Sequence, residues 1–575
     1  MKKFWEKHSL GKILVILAII ALVSTWFIPR GSFGSDFSKF TKIDDFRLGL
    51  FDIGGIFYQV TAFCMDKMIF LIVLGAFYEI LSKLKAYRVL IGKIANKMKG
   101  KEILFACITS FVLALFATFS TSTFAVLVFV PFVISILSEM KFDKVTALSI
   151  TFGSILVGGI GSIFGGDALF ILKRIFSLYT GKDLIATGWI TRLIVFVGAF
   201  GLFTLFNVLH MKKVLKDKKA EKINDVFEIE ETKDKTKIWP TVTILCIIAL
   251  FVLLGFIPWE ECFGIEIFTK FHEWLIGLSI SDFPVISNFL GTQAVAFSHF
   301  SLFSLVALLI IFGIILLIMG RIKANEAIDG VIAGGKKMLK PVLAVCAVYF
   351  IFTITTILFM SNASTSVLMK VDGKPNINID YKGSGNAYFN VDTDNDGKAD
   401  YNLVGSGKDC KFNCDTNNDG WPDKNLDFDG NGKIDENDKA IVELFSGESI
   451  LNLDSDNDGT VDVNVDTDIS LPGTILNSFL IGALQSDTPL YTEGYYDYLY
   501  TSYYVKNFGA SLELIFLITV TMFAFAALFV PTSGILAVGL CYTDVEYKDW
   551  LKYVWKFVVS VFVFLLAIYI FQYLI

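Results

Sequence analysis

Apolar runs alternate along this chain with short polar and basic stretches, and most of the runs are long enough to cross a bilayer as helices, which takes about 17 to 25 residues each. They fall near residues 11–29, 66–82, 103–119, 145–166, 190–208, 238–257, 300–319, 341–360, 511–530 and 553–575. Two further runs, 124–138 and 473–486, are short. Each is a candidate arm of a re-entrant hairpin, since non-helical backbone survives at membrane depth where it is buried in protein or lines a cavity. The first run follows a lysine-rich start, as a signal peptide does. Trp26, Phe27 and Arg30 stand where small cleavage-site residues belong, so an uncleaved helix is expected.

The pattern occurs twice. Residues 83–101 lead into an apolar run that stops at Ser120, Thr121, Ser122 and Thr123, and residues 321–340 lead into one that stops at Ser361, Asn362, Ala363, Ser364 and Thr365. Lys85/Lys323, Ala86/Ala324, Gly92/Gly330, Ile94/Ile332 and Ala95/Ala333 coincide at one constant offset. A second pair of interruptions follows: Gly158, Gly159, Gly161, Ser162, Gly165, Gly166 and Asp167 in the first half, and Pro531, Thr532, Ser533 and Gly534 in the second. Proline cannot continue a helix and glycine tolerates unusual backbone. Duplication with helices interrupted in matching places points to a transporter whose substrate sits near mid-membrane. At such breaks, helix N-termini hold anions and terminal carbonyls hold cations, while hydroxyl and amide side chains add ligands without burying charge. The same hydroxyls also serve as ordinary helix caps or bonds across a helix interface. Asp167 is the one carboxylate beside a break and a candidate proton or cation ligand, although Lys173 and Arg174 nearby also suit a membrane-surface position.

Charge sets the orientation. Seven Lys/Arg and no acid lie within 83–101, and five basic residues within 321–340. By the positive-inside rule both loops, and the lysine-rich stretch 212–237, are cytoplasmic. Counting full-length runs as crossings then puts 361–470 outside. Both halves starting inside implies a parallel repeat, whereas a hairpin that does not cross would invert the second half. The composition, 54% hydrophobic over 575 residues with 56 phenylalanines, excludes a single soluble domain.

Residues 371–470 differ from the rest. They carry 20 Asp, 3 Glu and 8 Lys with no Arg, a net −15 that leaves +9 on the remainder of a chain of net −6. D-x-D-x-D-G-x-x-D occurs at Asp392, Asp394, Asp396 and Asp400, and again at Asp454, Asp456, Asp458 and Asp462. A variant uses Asp415, Asn417, Asp419 and Asp423. A fourth loop offers Asp427, Asp429, Asn431, the Lys433 carbonyl, Asp435 and Asp438, with Gly432 at the bend. Calcium takes six to eight oxygens, and a tight loop with glycine at its bend turns alternate carboxylates toward one point. A disordered acidic linker would not need glycine at the same loop position four times. These repeats resemble the aspartate-rich repeats of thrombospondin type 3, and the fourth loop resembles a dockerin or EF-hand half, which implies calcium as a structural ion. Cys410 and Cys414 are a candidate disulfide there, whereas the six other cysteines lie in or near apolar runs as small hydrophobes.

Enzymatic constellations are missing. Gly330 to Lys336 reads G-x-x-x-x-G-K, but Lys337 stands where the magnesium-binding hydroxyl belongs and no strand precedes it. H-E-x-x-H, G-x-S-x-G and zinc-type Cys/His spacings do not occur in the sequence. Nothing suggests a nucleic-acid partner.

FVPTSGILAVGLCYTDVEYKDWLKYVWKF (529–557) resembles the C-terminal signature of the anaerobic C4-dicarboxylate carrier-like family, which includes relatives proposed to exchange amino acids, within the ion transporter superfamily. WFIPRGSF, LGAFYEILSKLKAYRVLIGKIANKMKGKE and ANEAIDGVIAGGKKML support the resemblance. It implies a helical secondary carrier with paired hairpins that moves small carboxylates or amino acids, driven by a sodium or proton gradient or by exchange. It implies a hairpin site at Pro531, Thr532, Ser533 and Gly534, and a cation and carboxylate motif at Ser361 and Asn362, where the third residue is Ala363.

The expectation is therefore an all-α polytopic membrane protein of two structural repeats with broken helices or re-entrant hairpins, plus a small loop-rich calcium-binding insert. The units are 1–208, a charged cytoplasmic linker 209–237, 238–366, the insert 371–470, and 471–575. Ligands expected at the breaks are Ser120 to Thr123, Gly161, Ser162, Gly165, Gly166, Asp167, Ser361, Asn362, Ser364, Thr365 and Pro531 to Gly534. A homo-oligomer is compatible with this reading. The rivals are a calcium-dependent surface module anchored by a degenerate transporter body, and a channel gated by calcium. The stretch YTEGYYDYLYTSYY (491–504) suits any of these as an interfacial aromatic belt.

Overall fold

The computed structural model describes residues 9–27, 31–33, 40–42, 47–166, 188–216, 236–279, 284–291, 293–358, 471–484 and 512–574, isolated positions between 169 and 227, and six strands within 386–465. The membrane body consists of α1 (Ser9–Phe27), α2 (Asp52–Lys83), α3 (Lys85–Lys97), α4 (Glu102–Phe119), α5 (Thr123–Glu139), α6 (Lys144–Gly161), α7 (Trp189–Val214), α8 (Trp239–Phe256), α9 (Ile267–Ile276), α10 (Leu302–Gly320), α11 (Ala324–Lys337), α12 (Leu339–Leu358), α13 (Leu471–Leu484), α14 (Leu512–Ala527), α15 (Gly534–Thr543) and α16 (Tyr547–Leu574). Eight of the described helices are long and apolar enough to cross a membrane, or nine if α11 and α12, bent by 44°, count as one span.

Most helices lie close to the predicted runs. The exception is α2, which begins at Asp52 rather than at 66. Gln59, Thr61, Asp66 and Lys67 interrupt its first half, and Lys67 is accommodated over the rings of Phe124 and Tyr349 at 5.5 and 5.2 Å. The most buried span is α6, which contains a π turn at Ser149–Gly153.

The basic loops share one face. Lys83 Nζ donates to Glu326 O at 3.2 Å, and Lys337 pairs with Glu79 at 2.9 Å. Lys337 also lies over Phe227, and Ser138 donates to Ile223 O. Lys144 pairs with Asp544, and Ser9 at the head of α1 donates to Glu546.

The two halves share the order long helix, short amphipathic helix, apolar helix in α2–α3–α4 and α10–α11–α12, but not a single relative direction. α2 and α10 run the same way, since Gly313 faces Phe77 and Gly320 faces Leu84. α6 and α14 run oppositely. Gly153, midway along α6, lies against Trp550, whose indole donates to Leu528 O just past the end of α14, while Ile163 past the end of α6 shares Arg192 with Phe516 near the head of α14. α7 and α16 are also antiparallel, with Phe203 against Phe557 and His210 against Tyr553. Direction therefore reverses between α12 and α14, the interval that contains the insert.

Within the insert the described backbone is a six-stranded antiparallel sheet, β6-β5-β4-β3-β7-β8, comprising β3 (Asn386–Asp392), β4 (Tyr401–Ser406), β5 (Asn413–Asp415), β6 (Lys424–Asn425), β7 (Ile450–Asp454) and β8 (Val463–Val465). An earlier pair, β1 (Gly31–Phe33) and β2 (Phe40–Lys42), joins α1 to α2. Each nine-residue aspartate motif occupies one connection of the sheet. Asp392, Asp415 and Asp454 end β3, β5 and β7, and the last aspartates, Asp400 and Asp462, and Asp423 immediately precede β4, β8 and β6. The alternation Leu-Asn-Leu-Asp at 451–454 and Val-Asn-Val-Asp at 463–466 is the period-two signal for these strands.

Candidate functional site

Two of the predicted breaks meet. The end of α4 and the residues after α6 are laced together by backbone hydrogen bonds. Thr118 O accepts from the amides of Phe164 (3.2 Å) and Gly165 (2.9 Å), Ser120 O accepts from Gly166 at 2.7 Å, and Thr118 Oγ1 accepts from Ile163 N at 2.9 Å. This pairing satisfies carbonyls left open at the C-terminus of α4 with amides of the residues that follow α6. A helix end buried without such partners would be costly.

Glycine is required at the closest point of this junction. A methyl group on Gly165 would fall on the carbonyl carbon of Phe119 and within 2.5 Å of the Ser120 amide nitrogen. Gly166 has φ +105°, a region L-residues rarely enter, and Ser162 closes α6 in the left-handed conformation at φ 36°. Ser162 Oγ turns back onto Gly159 O.

On the other side of the junction the chain turns into α5. Ser120 is fully buried and its hydroxyl donates to Ser122 O at 2.7 Å, while Ser122 N donates back to Ser120 Oγ at 3.3 Å. Thr121 N donates to Phe256 O at the end of α8 at 2.7 Å. Thr121, Ser122 and Thr123 are half-buried. Ser122 stands at the N-cap of α5 without a side-chain hydrogen bond to the first turn, so the helix presents N–H groups where an anion is stabilised.

Sequence reasoning did not single out Arg192. It lies inside an apolar run, 1% exposed, in the first turn of α7. Its guanidinium donates to Ile163 O from Nε (3.3 Å) and Nη2 (3.1 Å), donates to Ile185 O at 2.6 Å, and lies 5.5 Å from the Phe516 ring centre. A cation on the carbonyl of the residue after Ser162 complements the negative end of α6. The signal was available, since a lone arginine in an apolar segment is a functional hypothesis by default.

The second-half break lies elsewhere. Thr532 Oγ1 donates to Ala483 O at 2.5 Å, and Ser533 caps α15 by accepting from Leu536 N at 3.4 Å. Pro531 and Gly534 complete this turn between α14 and α15. Gly153, which abuts this region through Trp550, and Ser162 are nine residues apart on α6, about 14 Å at 1.5 Å per residue. The described residues therefore form two sites rather than one: the junction of Ser120 to Thr123 with Gly161, Ser162, Gly165 and Gly166, and the Pro531 to Gly534 turn. Asp167, Ser361, Asn362, Ser364 and Thr365 lie outside the described residues. So do the aspartate ligands of the insert, apart from the backbone of Asp392, Asp415 and Asp454.

Compared with known families, residues 4–373 match one described as citrate transporter. No curated protein and no solved structure matches.

Proposed function

The chain belongs to the citrate transporter family, and we propose that it binds citrate or a closely similar small carboxylate at the α4–α6 junction and moves it by coupling to a proton or sodium gradient or by exchange. Membership makes it a secondary transporter of citrate-like carboxylates and a multi-pass membrane protein. The narrower substrates suggested by the C-terminal signature, C4-dicarboxylates and amino acids, are the alternatives within this class. The observation that carries the reading is the interlocked junction itself. It combines two interrupted helices, half-buried hydroxyls at Ser122 and Thr123, the N-terminus of α5, and a buried guanidinium on the adjoining carbonyl. Positive charge and a helix N-terminus together favour a carboxylate over a cation.

The repeated helix order supports two structural repeats, with direction reversed in their closing helices. The insert takes structural calcium through the three aspartate motifs joining its strands and the fourth loop at 427–438. An outside position for the insert is supported by α12, which runs opposite to α2 and carries Leu358 away from the basic face.

Thermal stabilisation in detergent, followed by uptake into proteoliposomes, tests the substrate. Citrate, C4-dicarboxylates and amino acids are compared with and without sodium, at constant free calcium. A stabilising carboxylate that is also transported, with both effects weakened in Ser122→Ala, supports the reading. No response to any carboxylate, with a large shift from calcium alone, favours instead the anchored surface module that the strongly acidic insert suggests.

A further inference from the structure

The buried polar groups that the junction does not use gather at the other end of α6. Asp143 caps α6, accepting from the Thr146 amide at 3.3 Å and from its hydroxyl, and its second oxygen lies 3.3 Å from His210 Nε2 on α7. The His210 ring stands edge-on to Tyr553 of α16, with ring centres 4.8 Å apart. Deeper along α7, Tyr553 OH donates to Asn207 Oδ1 and lies 3.2 Å from Ser149 Oγ, which itself donates to Asn207 Oδ1 at 2.6 Å. Asn207 is 2% exposed, and its Nδ2 has no hydrogen-bond partner among the described residues.

This cluster adjoins a backbone irregularity. Ser149 opens the π turn of α6, a feature that often marks functional sites. Ser154 Oγ continues the polar line by donating to Ile150 O at 2.8 Å and meeting Ser110 Oγ at 2.7 Å. At the end of the turn Gly153 abuts Trp550, which donates to Leu528 O beside the Pro531–Gly534 break.

Among the described residues the other charged and titratable neighbours are few. Lys222 bridges Asp143 through backbone, Lys144 is turned toward Asp544 at 3.2 Å, and Tyr553 comes from α16. Burial pushes the Asp143 carboxyl up, but hydrogen bonds from His210 and Thr146 outweigh it and hold the carboxyl below its ordinary range.

We propose that Asp143, His210, Tyr553, Asn207 and Ser149 form the proton-handling site of the carrier, in which a proton taken from the basic face onto the Asp143–His210 pair is felt at the Pro531–Gly534 break. One proton converts a lone carboxylate beside neutral imidazole into an ion pair and makes both imidazole nitrogens donors. Tyr553, packed on that ring, passes the change to Asn207, Ser149 and the π turn. The proposal rests on the carrier reading and is tested separately from it.

The chain has four histidines, His8, His210, His272 and His299, so histidine-labelled NMR of the full chain resolves His210 by its loss in His210→Gln. The His210 ring resonances are expected to move in Asp143→Asn and in Tyr553→Phe, because both substitutions alter groups in contact with the ring. In proteoliposomes, His210→Gln is expected to lower citrate uptake driven by a pH gradient about tenfold while leaving citrate exchange near its original rate. Equal loss of both modes, or His210 resonances indifferent to both substitutions, overturns the proposal. Should the unaltered chain move no carboxylate, amide exchange decides. Acidification is then expected to alter exchange at 526–536 in the native chain but not in His210→Gln, and an identical response in both overturns the coupling.

Discussion

Gly75 and Gly334 meet backbone to backbone where α2 crosses α11. A methyl group on either would strike the other's carbonyl oxygen, and one on Gly334 would also lie 2.6 Å from the Gly75 carbonyl carbon. The same crossing carries the Glu79–Lys337 pair. Close approach of two helices through small residues is how membrane interfaces gain packing.

Substituting leucine at either glycine should therefore separate the helices and lower stability by about 1–3 kcal/mol. Gly335, whose added methyl would meet only Ile72 at 3.5 Å, is the control. Thermal unfolding in detergent should show a clear loss for Gly75→Leu and Gly334→Leu and little change for Gly335→Ala.

Gly165→Ala should abolish transport, because the methyl would enter the backbone of Phe119 and Ser120. Gly159→Ala should be tolerated, since its methyl would meet Ala524 Cβ at 3.8 Å. Comparing uptake at matched protein levels checks both, and equal activity would place the substrate elsewhere.

Arg192→Met should leave the buried carbonyls of Ile163 and Ile185 without this donor, at about 1–3 kcal/mol for each. Arg192→Lys should recover part of the loss, since an ammonium lacks the planar fork that spans both carbonyls. Yield of folded protein and melting temperature read the difference.

Asp143 gives a pH signature. Its carboxyl is held below the ordinary value in the folded chain, so its stabilisation is complete above the unfolded value, about 3.9, and is lost as pH falls through the lower folded value. The deficit of Asp143→Ala relative to the native chain should be full at neutral pH and shrink only in strong acid. A deficit that disappeared between pH 8 and 6 would contradict this assignment.

Removing calcium should expose the insert to proteolysis within 371–470 while the helices stay folded, because a net −15 confined to one hundred residues repels itself without the ion. Unchanged cleavage with and without chelator would leave the aspartate motifs without a metal.

Much of the helical body was legible because each span had to supply its own apolar length. The boundaries of α1, α8, α10 and α14 fall close to runs visible in the sequence. The first half of α2 was hidden, since Lys67 pairs with Asp66 at 3.6 Å and lies over Phe124 and Tyr349, rings that a sequence window cannot bring to it. The Ser120 and Gly161–Gly166 interruptions were visible as breaks in periodicity, but their hydrogen bonding to each other belongs to tertiary structure. Arg192 was visible yet passed over. The polar line through Ser149 and Asn207 was illegible because isolated serines and asparagines in apolar runs look alike until their partners are known. In the insert, the aspartate spacing drew attention away from the short alternating strands on either side.

The lacing of Thr118 and Ser120 to residues 163–166 also bears on mechanics. Pulling those strands apart would strand several amides and carbonyls in a water-poor interior, at about 1–3 kcal/mol for each. The two interruptions are therefore bolted into one rigid part, and exposing the cargo to opposite sides requires that part to travel whole, with its sliding surfaces at the contacts around it.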